Sequence, residues 1–470
     1  MRGTKPAINR RHFLRGLAAT STAAAVVRWP GLYAAEPAQG NLSVGQGVVD
    51  TTPPLGIEMG GFHRPPGSER RITGIRQPTA VRALVLKTAD VDAAVISLDL
   101  AAFSADYANR VRQQVSAKTG IPAANVRLCA THTHSMPSFC YLRQWGAMPQ
   151  DYANTVVDKA VQAVAMAKDD LAPASLSLGK SRAAGGNFNR TTKDFKTDAQ
   201  FDAQSTEGQR WLDTMVRVLY FDRSAGKAPL LWYHFSAHPV CYADELAGPD
   251  WPGIVDQRLK EKYSLVPSYL QGHIGDVNPG DGDPWRGDAG KTSEAVYQAV
   301  VRATEDRKPV AVTRVRCATR PFDVPLNVDL FKSWLDEYRT DPSKCTTSEW
   351  VDAGFAKDWY EGNAQRNVSG GAMNISLSTL QLGDLVLAFH PAELYSYYGL
   401  AIQRSSPVKE TVVVGYTDGI IGYLPDPKAY EAREYAAFVV PKILDNPPFT
   451  PIAAQQLTDG VGELIKQTVA

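Results

Sequence analysis

The sequence predicts an α/β protein with mixed β-sheets and flanking helices, arranged as a single large domain. Apolar, β-prone runs alternate with amphipathic stretches, as expected for buried sheets covered by helices. After the N-terminal segment the residue composition is uniform along the chain, because no Ser/Gly linker, charge block or internal repeat divides it. With 44% apolar and 21% charged residues in a chain of 470, the composition is that of an ordinary globular protein and excludes a disordered or fibrous chain.

Neighbouring β-prone segments predict three pairs of strands. The pairs are Val81–Lys87 with Ala93–Leu98, Thr214–Phe221 with Leu230–Phe235, and Ile375–Gln381 with Leu385–Phe389. Two more short strands are predicted at Asn125–Cys129 and Val412–Val414. These short, strongly apolar runs favour sheets that are buried on at least one face.

Amphipathic periodicity predicts six helices. They are Ala105–Thr119, Pro252–Lys262, Thr292–Glu305, Leu330–Tyr338, a helix near Ala392–Gln403, and Ile452–Gln467. Gly120 is a stop signal for the first helix, and Asp250 lies near the N-terminus of the second.

The N-terminal segment 1–35 is predicted to be a twin-arginine export signal. Arg10 and Arg11 precede the Phe13-Leu14 pair, and a weakly apolar stretch from 16 to 27 follows that is too short and too polar to span a membrane. The alternative is a basic N-terminus with a chance Arg-Arg pair. The expected location of the mature protein is the periplasm or the exterior of the cell.

Charge and cysteine content restrict the partners and the chemistry. The first 34 residues contain six positive charges and no acid, so the net charge without them falls from +1 to −5. Such a protein has no electrostatic reason to bind nucleic acid, and no later segment is apolar enough for a transmembrane helix. The five cysteines form no C-x-x-C motif, which excludes a dense disulfide scaffold and leaves one disulfide possible. The sequence does not define the oligomeric state.

Histidines follow two of the predicted strands. His132 and His134 come directly after Asn125–Cys129, and an extended H-x-H segment would direct both imidazoles to one face. Neutral imidazoles that converge beyond a buried strand suit zinc. The alternative is a pair of loop histidines that bond to the backbone.

Two further candidates lie after other strands. His238 stands beyond the strand Leu230–Phe235, where Pro239 turns the chain, whereas His234 alternates within the strand and is expected to be packed. Glu393 follows Leu385–Phe389 at a predicted helix start, where it either caps the helix or binds a metal. The residues alone therefore indicate His132, His238 and Glu393 as candidate ligands.

A series of short motifs in fixed order resembles the catalytic N-terminal domain of the neutral/alkaline (non-lysosomal) ceramidase family over residues 43–470. The motifs include 49–56 (VDTTPPLG), 130–135 (ATHTHS), 187–190 (NFNR), 250–253 (DWPG), 275–279 (GDVNP) and 391–393 (PAE). His238-Pro239, Gly422-Tyr423 and Tyr435 continue the series. Since so many short motifs in one order are hard to obtain by chance, the family fold and a metallohydrolase function are expected.

The resemblance implies a complete site. It assigns Zn²⁺ to His132, His238, Glu393 and Tyr423, catalytic roles to His134, Arg190 and Tyr435, and substrate contacts to Asp276 and Asn278. The implied activity is zinc-dependent hydrolysis of the amide (N-acyl) bond of a ceramide-like or other N-acylated substrate by metal-activated water. Neither tyrosine nor Arg190 is indicated by the residues without the family.

Two departures from the family pattern bear on the substrate. Asn278 stands where ceramidases have a serine, and an amide cannot serve as a nucleophile, so water must attack. The immunoglobulin-like C-terminal domain of long ceramidases is also expected to be absent. Both departures weaken ceramide as the specific substrate.

Two alternative functions remain open at this stage. The same site can act on a non-lipid substrate, an ester, an N-acyl amino compound or a carbohydrate, and the polar segment 193–210 together with the Trp- and charge-rich segment 329–363 favours a polar one. A non-catalytic exported binding protein is the other alternative, although the four intact ligand positions argue against it.

Overall fold

The computed structural model describes residues 42–341, 350–368 and 370–470. The predicted signal segment 1–35 lies outside these residues, so export stays a prediction. Within the described parts of the chain, no helix combines the length and the hydrophobicity needed to cross a membrane.

The largest sheet contains nine strands among the described residues. In sheet order they are Ser268–Gln271, Leu230–Phe235, Met215–Arg223, Ala172–Arg182, Ser43–Asp50, Ala80–Lys87, Asp92–Leu98 and Val126–Ala130, with Lys308–Val310 paired to Ala172–Arg182. The outermost pairs at both ends are parallel and the pairs between them are antiparallel. This arrangement confirms the mixed α/β fold and the first two predicted strand pairs.

The two edge strands of this sheet approach each other. Ser97, on the strand next to one edge, donates a hydrogen bond of 2.6 Å from its Oγ to the carbonyl of Tyr269, which lies on the strand at the opposite edge. Gln271 Nε2, at the end of one edge strand, donates to the carbonyl of Thr131 at 3.0 Å, just beyond the other. Because the sheet curls in this way, the chain segments that follow Val126–Ala130 and Leu230–Phe235 meet at one place.

A second sheet supplies the remaining part of the site. Its four strands, in order, are Val315–Pro325, Ala372–Leu382, Leu385–Phe389 and Glu410–Val414. Five short strand pairs complete the strands of the described residues. They are Lys196–Thr197 with Trp211–Leu212, Gly74–Ile75 with Leu246–Ala247, Asn187–Asn189 with Val277–Pro279, Ala102–Phe103 with Ser138–Phe139, and Ala392–Leu394 with Gly422–Leu424. The last pair is parallel and directly follows the strands Leu385–Phe389 and Glu410–Val414 in the chain.

Helices cover the sheets. The α-helices are α1 (Ala105–Thr119), α2 (Gln150–Asp169), α3 (Trp251–Tyr263), α4 (Ala289–Glu305), α5 (Val328–Thr340), α6 (Ala353–Asn363), α7 (Ser396–Ser405), α8 (Pro427–Glu431), α9 (Tyr435–Phe438), α10 (Val440–Ile443) and α11 (Ala453–Val469). Short 3₁₀ turns occupy Ala123–Asn125 and Asp198–Gln200. Helix α2 lies directly on the strand Ser43–Asp50, where a Cβ at Gly45 or Gly47 would come within 2.0 Å of a helix carbonyl.

Five predicted helices are confirmed, and Gly120 ends α1 in the left-handed conformation with φ 76°. The predicted helix near 392–403 is wrong at its start, because residues 392–394 form a strand and α7 begins only at Ser396. Pairing with Gly422–Leu424, a partner remote in sequence, overrides the local helical pattern there. Helix α2 and the strands Ser43–Asp50 and Ala172–Arg182 were not predicted.

Candidate metal centre

His132 lies beyond the end of the strand Val126–Ala130, in the closed end of the large sheet. The expected extended conformation is wrong, because His132 has a positive φ of 64° and the chain turns there. Its Nδ1 lies 2.6 Å from the carbonyl of Ala101, and its ring stacks on Tyr416 with centroids 4.3 Å apart. The backbone contact fixes the ring so that Nε2 is the atom left for a ligand.

His238 approaches from the other edge of the sheet. It follows the strand Leu230–Phe235 and is fully buried. Its Nδ1 lies 2.7 Å from the carbonyl of Val277, while its Nε2 is buried without a hydrogen-bond partner. A buried nitrogen with no partner is costly unless something binds it, but His234, His273 and His390 also carry such nitrogens, so this feature alone does not mark a ligand site.

Glu393 comes from the second sheet. It lies on the short strand Ala392–Leu394, so the helix-capping alternative is wrong. Its Oε2 is 3.6 Å from His132 Nε2 and 3.7 Å from His238 Nε2, and it accepts a hydrogen bond of 3.1 Å from the Tyr416 hydroxyl. Three side chains from distant parts of the sequence therefore converge on one point.

His134 completes a group that we call the donor cluster, His132, His134, His238 and Glu393. Its Nε2 lies 3.3 Å from His132 Nε2, and one ring nitrogen from each of the three histidines lies within 4.8 Å of the others. The ring packs closely on Gly61, where a Cβ would come within 2.6 Å of it. Nitrogen and carboxylate donors at these spacings suit a divalent metal such as zinc.

Burial sets the charge state of the imidazoles. It lowers the pKa of His132 to about 4, although the Glu393 charge acts in the opposite direction, and it lowers the pKa of His134 and His238 well below the usual range. The three rings are therefore neutral near pH 7, which leaves their lone pairs available to a metal.

Arg190 and Tyr423 lie next to each other at the same site. Tyr423 is opposite Glu393 in the short parallel strand pair, and Arg190 Nη2 donates to its hydroxyl at 2.7 Å. Burial raises the pKa of Tyr423 well above its ordinary value, although Arg190 acts in the opposite direction. Arg190 Nη2 also donates to the carbonyl of Gly275 at 2.8 Å, which holds the guanidinium in place.

Tyr435 begins helix α9 and contacts Tyr423 edge to face, with ring centroids 6.0 Å apart. Burial raises its pKa, so the phenol keeps its proton at neutral pH. It is thus an available hydrogen-bond donor beside Tyr423.

Asp276 and Asn278, the predicted substrate contacts, both bond to the protein itself. The buried Asp276 carboxylate accepts hydrogen bonds from the backbone and hydroxyl of Ser396 and from Asn189 Nδ2, at 2.7–2.8 Å. Asn278 Nδ2 donates to the carbonyl of Trp285 at 2.8 Å, and its Oδ1 lies 3.4 Å from Arg190 Nη1. The role of Asp276 and Asn278 as substrate contacts stays a prediction.

Tyr416 is the component that the sequence reasoning missed. It stacks on His132 and donates to Glu393, so it orients two members of the donor cluster. One signal could have found it. Tyr416 follows the predicted strand at Val412–Val414, and Glu393 follows a neighbouring parallel strand, so both fall at the same edge of that sheet.

The fold and site together define a class: an α/β protein with a centre of three histidines and a glutamate between two sheets, buried except for the half-buried His134. The family model described as "Neutral/alkaline non-lysosomal ceramidase, N-terminal" matches residues 42–298, more than half of the chain. The chain therefore belongs to the neutral/alkaline non-lysosomal ceramidase family.

Individual relatives agree with this membership. The neutral ceramidase of Mycobacterium tuberculosis (strain ATCC 25618 / H37Rv) is 28% identical over 209 residues, a match that spans 42% of this chain and 32% of that protein. The neutral ceramidase of Pseudomonas aeruginosa has a similar structure, with a TM-score of 0.69 and 18% identity over 91% of this chain and 75% of the other. A structure described as a ceramidase complexed with C2 gives a TM-score of 0.70 and 18% identity over 90% and 75% of the two chains. At this identity the structures show the shared fold.

Proposed function

We propose that the protein is a zinc-dependent hydrolase of the neutral ceramidase type that cleaves the amide bond of a ceramide-like or other N-acylated substrate. The observation behind this proposal is the convergence of His132, His238 and Glu393, whose ligand atoms approach within 3.6–3.7 Å in the fold of that family. The neutral rings and the unpartnered Nε2 of His238 are compatible with a metal, and the convergence of the side chains is what favours one.

His132, His238 and Glu393 would hold the ion, with Tyr423 as a weak fourth ligand. A protonated phenol is a poor ligand, and the raised pKa of Tyr423 favours a contact made only during turnover. When bound, zinc would supply Lewis-acid polarisation of a water molecule and of the substrate carbonyl.

The protein's own residues perform the other steps. A water molecule attacks the amide carbon, a C–O bond forms, and negative charge develops on the carbonyl oxygen. Arg190 and the Tyr435 hydroxyl face that charge, and one such donor typically contributes about 10²–10³ in rate. His134 accepts a proton from the attacking water and delivers it to the leaving nitrogen, so that the C–N bond breaks to give a carboxylic acid and an amine.

Metal analysis combined with hydrolysis assays tests the proposal. We expect the purified protein to contain about one zinc per chain and to cleave a member of a panel of ceramides and N-acyl compounds with a kcat above ~1 s⁻¹. Chelation should abolish turnover, and added zinc should restore it. Full turnover by protein freed of metal would contradict the proposal, as would the absence of amide cleavage across the panel.

A further inference from the structure

The three histidines of the donor cluster are held in two different ways. The Nδ1 atoms of His132 and His238 lie 2.6 and 2.7 Å from the carbonyls of Ala101 and Val277, so a backbone contact fixes each of these rings. Within the described part of the chain, the Nδ1 of His134 is buried without a hydrogen-bond partner, and its Nε2 lies 3.3 Å from His132 Nε2. Something other than a backbone hydrogen bond must therefore orient the ring of His134.

Aromatic packing supplies that orientation. The ring of Phe62 contacts the ring of His134 edge to face, with centroids 5.2 Å apart and an angle of 73° between the planes. The preceding Gly61 has a positive φ of 94°, and a Cβ there would come within 2.6 Å of the His134 side chain. The imidazole also contacts the rings of His132 and His238, with centroids 4.9 and 5.8 Å away. Phe62 is thus the ring from outside the donor cluster that packs against His134.

Arg70 ties Phe62 to the backbone of His134. Its Cζ lies 4.8 Å from the centroid of the Phe62 ring, a distance at which a guanidinium is attracted to an aromatic face. Its Nη1 donates to the carbonyls of Gly60 and His134 at 3.1 and 3.0 Å, and its Nε and Nη2 donate to the carbonyl of Asp244 at 3.1 and 2.6 Å. One guanidinium therefore holds both the main chain of His134 and the ring that packs against its imidazole.

The guanidinium of Arg70 keeps its charge although only 3% of the residue is exposed. Burial lowers its pKa to about 10, and the nearby Arg64 acts in the same direction, so Arg70 is still protonated near pH 7. A buried charge is costly unless hydrogen bonds compensate it, and here three main-chain carbonyls do so. A planar fork of donors can reach all three carbonyls at once, whereas the compact ammonium of a lysine is unsuited to that geometry.

We propose that Arg70 and Phe62 are positioning residues that hold the imidazole of His134 in the orientation needed for proton transfer. This inference rests on the proposed hydrolysis, in which His134 moves the proton. Both residues act through His134 and not on the substrate itself. A base must lie within hydrogen-bond reach of the proton that it takes, and a displacement of about 1 Å can cost about 10² in rate.

The position of the ring is a readout that does not depend on turnover. Phe62→Leu keeps an apolar side chain but removes the ring. Crystal structures should show the His134 imidazole of this variant rotated by more than about 30°, while the other two histidines of the donor cluster keep their backbone contacts. Phe201→Leu is the matched control, since Phe201 is also half-buried and packs edge to face on Trp211, with centroids 4.7 Å apart and planes at 77°. It should leave His134 in place.

Turnover of a cleaved N-acyl substrate is the second readout. We expect Phe62→Leu and Arg70→Lys to lower kcat about tenfold, with KM and zinc affinity within about twofold of the wild type, because other residues hold the substrate and the ion. In a His134→Ala background, Phe62→Leu should lower kcat by less than about twofold, since the ring that it positions is gone. General structural damage would lower kcat equally in both backgrounds.

The outcomes separate this inference from the proposed function. A rotated His134 ring in Phe62→Leu supports the positioning role even if no amide is cleaved, a result that would reject only the proposed hydrolysis. An unmoved ring in both Phe62→Leu and Arg70→Lys overturns the inference. Equal losses of kcat with and without His134 also overturn it, and leave the proposed hydrolysis standing.

Discussion

Two groups of three histidines can be compared in this fold. The histidines of the donor cluster are His132, His134 and His238, and a second group, which we call the inner histidines, contains His234, His273 and His390. All three inner histidines are fully buried, and burial lowers their pKa to about 3, 4 and 3. The histidines of the donor cluster are also neutral near pH 7, so charge state alone does not separate the two groups, although His134 is only half-buried.

They differ in where their ring nitrogens point. His234 Nε2 lies 2.8 Å from the carbonyl of Val413, His273 Nε2 lies 3.4 Å from Asp213 Oδ2, and His390 Nδ1 accepts from the backbone of Ala392. Across residues 42–341, 350–368 and 370–470, the three donor-cluster histidines are the one set of three potential ligands whose atoms all lie within 4.8 Å of one another. Convergence, more than burial, therefore distinguishes a candidate metal centre from packed histidines.

The largest effect expected from this difference is on metal binding. His238→Gln removes a converging nitrogen and should weaken zinc affinity by about 10²–10³-fold, the share of one ligand in a four-ligand site. His234→Gln is the matched control, since it changes a histidine of the same buried segment whose nitrogen bonds to a carbonyl. Titration of metal-free protein with zinc measures both affinities. Equal losses in the two variants would erase the distinction between the groups.

A smaller effect is expected from the residue that orients the donor cluster. Tyr416→Phe keeps the ring stacked on His132 and removes the hydroxyl that donates to Glu393 Oε2. Loss of such an orienting contact typically weakens metal binding about 10–100-fold. Competition with a chelator of known affinity provides the measurement. An unchanged affinity would mean that Glu393 is held by its strand alone.

The smallest effect concerns the pH dependence of stability. The pKa of His273 falls from 6.5 to about 4 on folding, because burial disfavours its charged form. Between these values the unfolded chain binds a proton that the folded protein does not, so stability decreases as the pH falls from 6.5 towards 4. His273→Asn should remove about 1–2 kcal/mol of the difference in unfolding free energy between pH 7 and pH 5.

Urea unfolding of metal-free protein at the two pH values tests this last prediction. Wild-type protein measured in parallel supplies the reference difference. A variant with the wild-type pH dependence would show that His273 does not contribute to acid sensitivity.

Much of the local structure was accessible from the sequence. Strands such as Asp92–Leu98 and helices such as α1 and α4 follow from periodicity and capping, which depend on residues close together in the chain. His234 was expected to be packed within its strand and is, whereas His238, just beyond the strand, belongs to the donor cluster. Position relative to a strand end was the signal that separated the two.

Other features could not be predicted from residues that are close together in the chain. The prediction of an extended His132 is wrong, because its positive φ depends on a turn at the closed end of the sheet. Tyr416 was missed, since its contacts with His132 and Glu393 depend on two parallel strands that end at the same edge of a sheet. The predicted substrate contact of Asp276 stays a prediction, while the bonds of its carboxylate to Ser396 and Asn189, which are remote in sequence, could not be predicted locally.

The sequence by itself determined the α/β class, the strands that precede His132, His238 and Glu393, and the family likeness, because hydrophobic periodicity and short motifs are properties of neighbouring residues. Only the tertiary structure decided that these side chains share one point and which ring nitrogen each presents. Those outcomes depend on the meeting of two sheet edges and on the carbonyls of Ala101 and Val277, which lie 31 and 39 residues from the rings that they orient.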